Sequence, residues 1–428
     1  MRTCLAVSML FVCVAGSIAQ EQYQWPQWQG PTRDSICPEK GLLTKWPADG
    51  PKLLYQQKGF GDGYSTPVIQ NGIIYGMSWR GEKGSMVDGI WAFDEASKKE
   101  LWFTPIGKAD EKVSYNHGPR SSPTIAGDKI YGLTAGGDLG CLELSTGKVL
   151  WKSSFKTQLE GKMMSIWGYS ESVLVDGDKV IATPGGDQNS IVAFNKDTGS
   201  ILWRSAIKNG GGAGYASPVI MTVAGQKMYV CWLKNCVVAV GANTGTEIWR
   251  NSKVAGQVAN IPTPIVMGDK IYCTTGYTGS NGGSVLLQVS KTGNNQFTAR
   301  EVWYLDARSF MNHHGGVVLV DGHLYGGHGQ NDGQITCVDV ASGKIKYKQR
   351  GVGQKSAAIG YADGHLYYRY EDSVMALVKA NPDKVEVVSK FKLPYESGKP
   401  SWPHPVICNG KLYIRDMDVL MVFDVKGN

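Results

Sequence analysis

The sequence is 428 residues long, with 42% hydrophobic and 19% charged residues and a formal net charge of +7. Its cations are spread among 37 acidic residues rather than gathered in blocks, which argues against a nucleic-acid-binding protein. The 55 Gly, 20 Tyr and 13 Trp favour many short strands joined by tight turns, because Gly adopts turn conformations and aromatic side chains cover pleated surfaces. We therefore expect an all-β protein.

Residues 1–19 have the pattern of a secretory signal peptide, with an early Arg, an apolar run from Leu5 to Val14 and a small-residue cleavage site ending at Ala19. The run is shorter than the ~20 residues that span a bilayer, and no later segment is apolar enough to be transmembrane. Lipid attachment through Cys13 is the alternative to cleavage after Ala19, although Val12 fits such a signal poorly. The pattern predicts export, to the periplasm or the extracellular space.

Seven cysteines remain once the signal is removed, and an odd number leaves at least one of them free or paired outside the chain. Several lie in strand-like runs, where Cys usually behaves as a small buried apolar residue. The one candidate disulfide joins Cys231 and Cys236 in "YVCWLKNCVVAV", which could face each other across a hairpin in an oxidising compartment.

An internal repeat dominates the rest of the chain. Trp102, Trp151, Trp203, Trp249, Trp303 and Tyr347 follow one another at intervals of 44 to 54 residues. Eight related segments open the repeats: "STPVIQNGIIYG", "SSPTIAGDKIYG", "ESVLVDGDKVIA", "ASPVIMTVAGQKMYV", "PTPIVMGDKIYC", "GGVVLVDGHLYG", "SAAIGYADGHLYY" and "PHPVICNGKLYI". Each repeat predicts four short antiparallel strands, with turns such as "DTGS" closing the last hairpin.

A single four-stranded sheet cannot bury both of its faces, but sheets packed around an axis can, with the repeated aromatic side chain filling each contact. The sequence therefore predicts an eight-bladed β-propeller over residues 51–428, preceded by a lead-in segment at 20–50. The last repeat lacks its fourth strand, and "PKLLYQQKG" near the N-terminus matches "GKIKYKQRG" of an earlier repeat. We expect Lys52–Lys58 to complete the sheet begun by Pro405–Val425 and so to close the ring.

These repeats resemble the pyrroloquinoline-quinone (PQQ)-type propeller repeat, and "WPQWQGPTRDSI" at 25–36 looks like the lead-in of exported bacterial members. The resemblance implies one of two functional branches: quinoprotein alcohol dehydrogenases that hold PQQ and calcium, or non-catalytic propellers such as the lipoprotein of the outer-membrane β-barrel assembly machinery. The adjacent cysteine pair typical of the dehydrogenases is absent, as are the C-x-x-C-H haem motif and any recognisable set of calcium ligands. PQQ and Ca²⁺ thus lack motif support.

Ring-bearing and cationic residues cluster where the chain enters the innermost strands and in the loops on the same face, and they predict a ligand site at the mouth of the axial channel. The candidates are His117, Arg120, Trp167, Tyr169, Tyr215, His313, His314, His328, Lys355, Trp402 and His404. Cations pair with carboxylate or phosphate and flat rings stack, so an anionic or sugar-like ligand fits this lining. A protein partner at the same mouth is equally compatible.

Two further expectations concern the histidines. Because His313 and His314 are neighbours, an extended segment would point them to opposite sides, so that only one faces the axis. His117, one of that pair, His328 and His404 could together hold Zn or Cu, although no ligand spacing supports this.

The first interpretation of the function is an exported binding or scaffolding propeller, and the alternative is a PQQ-dependent alcohol dehydrogenase. Carbohydrate cleavage at the histidine-rich mouth is a third possibility without a motif.

Overall fold

A computed structural model describes residues 22–427 except 116, 278–281 and 295. The predicted signal peptide, with Cys13 and Ala19, lies outside the described residues. Within the described part of the chain, no helix is long and apolar enough to cross a membrane.

Eight sheets, each with four antiparallel strands, follow one another along the chain as the blades of a propeller. Two strands precede the first blade: β1 (Ile36–Cys37) and β2 (Leu53–Gln57). Blade 1 contains β3 (Val68–Gln70), β4 (Ile73–Arg80), β5 (Val87–Asp94) and β6 (Lys99–Lys108). Blade 2 contains β7 (Thr124–Ala126), β8 (Lys129–Leu133), β9 (Asp138–Glu143) and β10 (Val149–Ser154), and the short helix α1 (Phe155–Gln158) follows it.

Blades 3 to 5 have the same order of strands. Blade 3 contains β11 (Leu174–Asp176), β12 (Lys179–Ala182), β13 (Ile191–Asn195) and β14 (Ile201–Ser205). Blade 4 contains β15 (Val219–Val223), β16 (Gln226–Trp232), β17 (Val237–Gly241) and β18 (Glu247–Asn251). Blade 5 contains β19 (Ile265–Met267), β20 (Lys270–Thr275), β21 (Gly283–Gly293) and β22 (Gln296–Asp306).

The last three blades complete the ring. Blade 6 contains β23 (Val317–Val320), β24 (His323–His328), β25 (Gln334–Asp339) and β26 (Ile345–Gln349). Blade 7 contains β27 (Ala357–Ala362), β28 (His365–Tyr370), β29 (Val374–Lys379) and β30 (Val387–Lys392). Blade 8 contains β31 (Val406–Cys408), β32 (Lys411–Asp416) and β33 (Val419–Asp424), with β2 as its outermost strand.

The repeated aromatic residue joins neighbouring blades. Trp151 in β10 covers Gly199 in the last turn of blade 3, where a Cβ atom would lie 2.7 Å from the indole. Gly199 also has a φ of 71°, and Trp151 Nε1 donates a hydrogen bond to the carbonyl of Lys196 at 2.9 Å. The same ring-on-glycine contact recurs in three pairs: Trp102 with Gly147, Trp203 with Gly245, and Trp303 with Gly343. The repeated aromatic and the repeated Thr-Gly or Ser-Gly turn are thus two halves of one inter-blade contact.

The predicted closure of the ring is confirmed. Strand β2 pairs antiparallel with β33, and Leu53 lies opposite Phe423 while Tyr55 lies opposite Val422. The edge of the last sheet is therefore covered by a strand from the other end of the chain.

The lead-in segment lies across the axial channel rather than outside the propeller. Trp25 exchanges two backbone hydrogen bonds of 2.8 Å with Ile69 in blade 1, and Pro26 accepts one of the same length from Ile125 in blade 2. On blade 7, strand β1 pairs parallel with β27 as a fifth strand. The segment thereby satisfies backbone groups of the innermost strands that would otherwise face the channel unpaired.

The candidate disulfide between Cys231 and Cys236 is not formed. Both thiols are buried and free, and Cys231 lies opposite Val238 in the pairing of β16 with β17. The residue opposite Cys236 is Leu233, whose backbone N–H donates to the Cys236 carbonyl at 2.9 Å. The hairpin register therefore separates the two cysteines by two positions.

Candidate functional site

A cavity of about 520 Å³ lies on the propeller axis, at the end where the chain enters each innermost strand. All eight blades and the lead-in segment contribute to its wall. The lining residues are Trp28, Gln29, Tyr64, Tyr115, Arg120, Trp167, Ser170, Tyr215, Ser217, Ala259, Ile261, Pro262, Thr263, Tyr277, His313, His314, Gly316, Gln330, Asn331, Lys355, Glu371, Pro400, Trp402 and His404.

Most of the residues predicted for the channel mouth line this cavity. They are Arg120, Trp167, Tyr215, His313, His314, Lys355, Trp402 and His404. They come together because each lies just before an innermost strand, and the ring of blades brings those eight entrances around one axis.

Tyr169 and His328 do not line the cavity, contrary to expectation. Tyr169 is buried between blades 2 and 3, where its ring packs edge-on against Phe155 and its hydroxyl donates to the carbonyl of Pro184 at 2.8 Å. Gly168, with a φ of 72°, turns the chain between the lining residue Trp167 and Tyr169.

His328 is buried in blade 6 instead. Its Nδ1 accepts a hydrogen bond from the backbone N–H of Met311 at 3.2 Å, and its ring stacks on Phe310. The loop that follows it does reach the cavity, through Gln330 and Asn331. The loop after β24 thus reaches the cavity, whereas His328, the last residue of β24, does not.

His117 lies outside the cavity wall, partly exposed, with its ring centroid 6.4 Å from that of Tyr64. Because neither His117 nor His328 lines the cavity, the four histidines of the expected Zn or Cu site do not come together. In the described part of the chain, no group of three or more His, Cys, Asp or Glu side chains could hold a metal ion.

His313 and His314 both line the cavity, so the expectation that only one would face the axis is wrong. Their ring centroids are 4.0 Å apart. The segment is bent at His314 and Gly315 rather than extended. Gly315 approaches the neighbouring blade so closely that a Cβ atom there would lie 1.7 Å from the Ala357 carbonyl oxygen, which only glycine allows.

Aromatic and imidazole rings form a nearly continuous wall around the pocket. Tyr64 stacks on Trp402 with ring centroids 4.5 Å apart and planes 24° apart. From there the ring contacts continue from Trp402 to His314 at 5.1 Å, His313 to Tyr277 at 4.6 Å, Tyr277 to Trp167 at 6.0 Å, and Trp167 to Tyr215 at 5.9 Å. Such a wall offers flat, apolar faces for a ring-shaped ligand.

Arg120 and Lys355 are the cations of the lining. The Arg120 guanidinium lies 5.2 Å from the Tyr64 ring and 5.9 Å from the Trp402 ring. Its Nη2 donates to the carbonyls of Ser114 at 2.8 Å and Tyr115 at 3.0 Å, whereas its buried Nη1 has no hydrogen-bond partner. Burial lowers the pKa of Arg120, which nevertheless starts from a value far above neutrality. An anionic group at Nη1 would satisfy this charge.

The cavity histidines are neutral at physiological pH. Burial lowers the pKa of His313 and of His404 to about 4. Burial also holds the pKa of His314 well below its ordinary value, helped by the neighbouring His313 and His404. The mouth was expected to be rich in cations, but these imidazoles act as hydrogen-bonding groups and not as charges.

Two of these histidines carry an unpartnered ring nitrogen. His404 Nε2 lies 3.2 Å from the carbonyl oxygen of His314 and must donate to it, so His404 Nδ1 holds a lone pair, and that atom is buried without a partner. His313 Nδ1 lies 3.0 Å from Ser356 Oγ, and its buried Nε2 is also without a partner.

Glu371 is the one carboxyl among the lining residues, and sequence reasoning missed it. Its Oε1 lies 3.5 Å from His314 Nε2. Burial raises the pKa of Glu371, and Lys355 and nearby polar groups of Trp402 and Ser356 partly oppose this rise. Glu371 directly follows β28, in the turn before β29, and no sequence pattern distinguished it.

The lead-in residues Trp28 and Gln29 were also missed. Trp28 Nε1 donates to Thr263 Oγ1 at 3.0 Å, and its ring lies 4.6 Å from that of His404. Their place in the wall depends on the path of the lead-in through the channel, which no repeat or motif indicated.

The lining fits one part of a PQQ–calcium centre better than the other. Flat rings and two cations suit a planar polycarboxylate. Calcium, however, takes six to eight oxygen ligands, usually with several carboxylates among them, and the lining residues include one carboxylate, Glu371. The calcium donor set is therefore a poor fit.

The sequence matches a known protein family along most of its length. The family model described as outer membrane protein assembly factor BamB matches residues 36–184 and 88–349. Among solved structures, BamB from Moraxella catarrhalis has a TM-score of 0.59 at 14% identity, over 88% of this chain and 98% of that one. The quinohemoprotein alcohol dehydrogenase from Comamonas testosteroni has a TM-score of 0.67 at 13% identity, over 95% and 81%. At these identities the likeness shows the fold alone.

Two relatives, one from each of these two classes of protein, match shorter segments of the chain. The quinohemoprotein alcohol dehydrogenase ADH IIB of Pseudomonas putida is 33% identical over 146 residues, which is 33% of this chain and 19% of that protein. BamB of Burkholderia pseudomallei is 27% identical over 137 residues, which is 30% of this chain and 32% of that protein. The matches thus span less than a third of the length of either relative.

Proposed function

The chain belongs to the PQQ-like repeat family of β-propellers, and from that premise we propose that it is an exported binding module whose axial cavity holds a small, ring-shaped anion. The observation that carries the proposal is the set of buried polar atoms without a hydrogen-bond partner on lining residues: Arg120 Nη1, His313 Nε2, Glu371 Oε1, Trp402 Nε1 and His404 Nδ1. Each such atom costs about 1–3 kcal/mol unless something pairs with it, so their convergence on one pocket indicates a missing ligand.

The low basicity of the histidines favours binding over catalysis. A general base works best with a pKa near the operating pH, whereas the pKa values of His313 and His404 are about 4. Neutral imidazoles of this kind are suited to holding hydroxyl or N–H groups in place.

Calorimetric titration of the mature protein with cyclic carboxylates of both aromatic and sugar type tests the proposal. We expect saturable binding of at least one class, and a loss of about ten-fold or more in affinity for Arg120→Gln, because charge-assisted hydrogen bonds contribute ~1.5–3 kcal/mol. The matched control is Arg204→Gln on the exposed outer strand of blade 3, which should bind as the wild type does. Absence of saturable binding for both classes would contradict the proposal.

The alternative is a quinone-dependent alcohol dehydrogenase, which the likeness to ADH IIB brings forward. The single cavity carboxyl argues against it, because calcium would have only one carboxylate ligand there. We therefore expect no dye-linked alcohol oxidation when the protein is incubated with PQQ and Ca²⁺. Turnover that requires both additions would establish the alternative instead.

A protein partner at the same mouth is a second candidate, favoured by two exposed apolar side chains beside it. Tyr115 and Ile166 are 59% and 67% exposed. Some family relatives are named as assembly factors, which is consistent with this candidate. Photo-crosslinking from position 166 in the producing cells should give one discrete adduct if a partner docks there, and none if the mouth receives only small molecules.

Export is proposed from residues 1–19. Sequencing of the protein recovered from outside the cytoplasm should then give Gln20 as its first residue. A lipid-modified N-terminus at Cys13 would support the anchored alternative, and an intact Met1 would contradict export through this signal.

A further inference from the structure

The cavity distinguishes between hydrogen-bond donors and acceptors on its ligand. His404 uses its only ring N–H to bind the carbonyl of His314, so its Nδ1 can only accept a hydrogen bond. Protonation does not change this at neutral pH, since burial lowers the pKa of His404 to about 4. Whatever contacts this nitrogen must therefore bring an O–H or N–H group.

His313 restricts the hydrogen-bonding groups of the ligand less strictly than His404 does, and a ligand hydroxyl satisfies both histidines. Its Nδ1 contacts Ser356 Oγ, and a hydroxyl can either donate or accept in that contact, so the free Nε2 is a donor in one tautomer and an acceptor in the other. A ligand hydroxyl satisfies Nε2 in both cases, whereas a ligand carbonyl satisfies it in only one.

Arg120 requires the opposite chemistry. Its unpartnered Nη1 can only donate, and the buried charge favours a carboxylate or another anion as the acceptor. Its guanidinium lies near the Trp402 ring at 5.9 Å, and the His314 ring lies 5.1 Å from the same indole. Trp402 therefore lies between the anion-binding and histidine sides of the pocket.

From this arrangement we propose that the ligand is an acidic sugar of the uronate type, with its carboxylate on Arg120, a hydroxyl on His404 Nδ1 and a C–H face on the aromatic wall. The proposal rests on the proposed function, because it assumes that the axial cavity is a small-molecule site. A flat aromatic carboxylate would satisfy Arg120 and the rings, but without a hydroxyl or N–H it would leave His404 Nδ1 unpaired. A cavity of about 520 Å³ is within the range of small-molecule sites.

The test is calorimetric titration of the mature protein at pH 7 with three probes: D-glucuronate, D-glucose and 2-naphthoate. We expect D-glucuronate to bind at least ten-fold more tightly than either other probe, since glucose lacks the anion and naphthoate lacks the hydroxyls. His404→Phe keeps a ring against Trp28 but removes the acceptor, and it should weaken glucuronate binding about ten-fold. His328→Phe is the matched control, a buried histidine outside the cavity, and should leave the affinity unchanged.

The possible outcomes distinguish an error in the acidic-sugar assignment from an error in the proposed function. If naphthoate binds more tightly than glucuronate, or if His404→Phe leaves glucuronate affinity unchanged, the acidic-sugar assignment is wrong while the cavity remains a ligand site. If none of the three probes binds and none raises the melting temperature, both the assignment and the proposed function are contradicted. Circular dichroism of each variant confirms that it has folded.

Discussion

Glu171 of blade 3 and Arg33 of the lead-in are both buried, and neither lines the cavity. The Glu171 carboxyl accepts a 2.6 Å hydrogen bond from the backbone N–H of Thr183, and Arg33 of the lead-in donates to the carbonyl of Ser172 at 2.7 Å. Burial raises the pKa of Glu171 to about 7, with the Thr183 hydrogen bonds and the Arg33 charge opposing the rise. Burial likewise lowers the pKa of Arg33 to about 10. The folded protein thus holds a proton on Glu171 that the unfolded chain would release.

The first prediction concerns the pH dependence of stability. The folded-state pKa of Glu171 exceeds its ordinary value of 4.5, so its contribution to stability is fully present below about pH 4.5 and is lost as the pH rises through 7. Relative to the wild type, Glu171→Gln should therefore gain up to about 3 kcal/mol in free energy of unfolding between pH 5 and pH 8. Denaturant titrations at the two pH values measure this.

His313 and His404 act in the opposite sense, since their lowered pKa values remove stability as the pH falls below about 6.5. Both proteins contain these histidines, so their effect cancels when the stability of the variant is compared with that of the wild type at each pH. Glu82→Gln, at an exposed site, is the control and should show no pH-dependent difference. An equal response from both variants would mean that Glu171 titrates normally.

The second prediction concerns Glu371. Its carboxylate is a negative charge in a cavity that we propose to bind an anion, so Glu371→Gln should strengthen anion binding several-fold at pH 8. Because burial raises the pKa of Glu371, the wild-type residue takes up its proton at a higher pH than an exposed glutamate does, and the affinities of the two proteins should converge as the pH falls. A series of titrations of a cyclic carboxylate from pH 8 downward measures the effect. A weaker affinity of the variant at pH 8 would instead indicate that Glu371 accepts a hydrogen bond from the ligand.

At the scale of elements, one carboxylate fastens the last blade to the first. Glu95, at the end of β5, accepts hydrogen bonds from the hydroxyl of Tyr55 in β2 and from that of Tyr413 in β32, each at 3.1 Å. Lys411 Nζ lies 2.9 Å from the same carboxylate. Three groups of blade 8 therefore converge on one buried side chain of blade 1.

The third prediction is that Glu95→Gln lowers the free energy of unfolding by about 1–3 kcal/mol, because it leaves a hydroxyl or the Lys411 charge without its acceptor. Chemical denaturation measures the loss, and Tyr55→Phe should cost a smaller amount. Glu247→Gln is the control: its pairing with Arg250 is a partly exposed contact on one strand and should contribute little. Equal losses of unfolding free energy for Glu95→Gln and Glu247→Gln would show that the contact between blades stabilises the protein no more than a partly exposed ion pair does.

Repetition explains which elements could be predicted from the sequence. The positions of Trp151 and Gly199 recur because every blade needs the same contact with its neighbour, and a recurring need leaves a visible period. The path of the lead-in occurs once, and its contacts, such as Trp25 with Ile69, involve backbone groups that carry no sequence signature. The same holds for Gly315, whose close approach to Ala357 bends the chain and brings both His313 and His314 into the cavity.

At the scale of the whole molecule, the two ends of the described chain meet at blade 8. The backbone N–H of Tyr23 donates to Asn409 Oδ1 at 2.7 Å, and the backbone N–H of Val425 donates to the carbonyl of Gly410 at 2.9 Å. Both partners belong to the same turn between β31 and β32. The ring is therefore closed by the pairing of a strand from one end of the chain with a sheet from the other.

The last prediction follows from this closure. Strand β2 needs only to pair with β33, so the order of the segments along the chain should not matter. A circular permutant that begins at Gly59, joins Gly427 to Gln22 through a flexible Gly/Ser linker of about six residues and ends at Lys58 should fold, with a melting temperature within about 5 °C of the wild type. Its new ends lie at exposed positions. The control is the same permutant ending at residue 50, which lacks β2: it exposes the edge of β33 and should melt lower and aggregate more readily. If both permutants melt alike, β2 does not hold the ring closed.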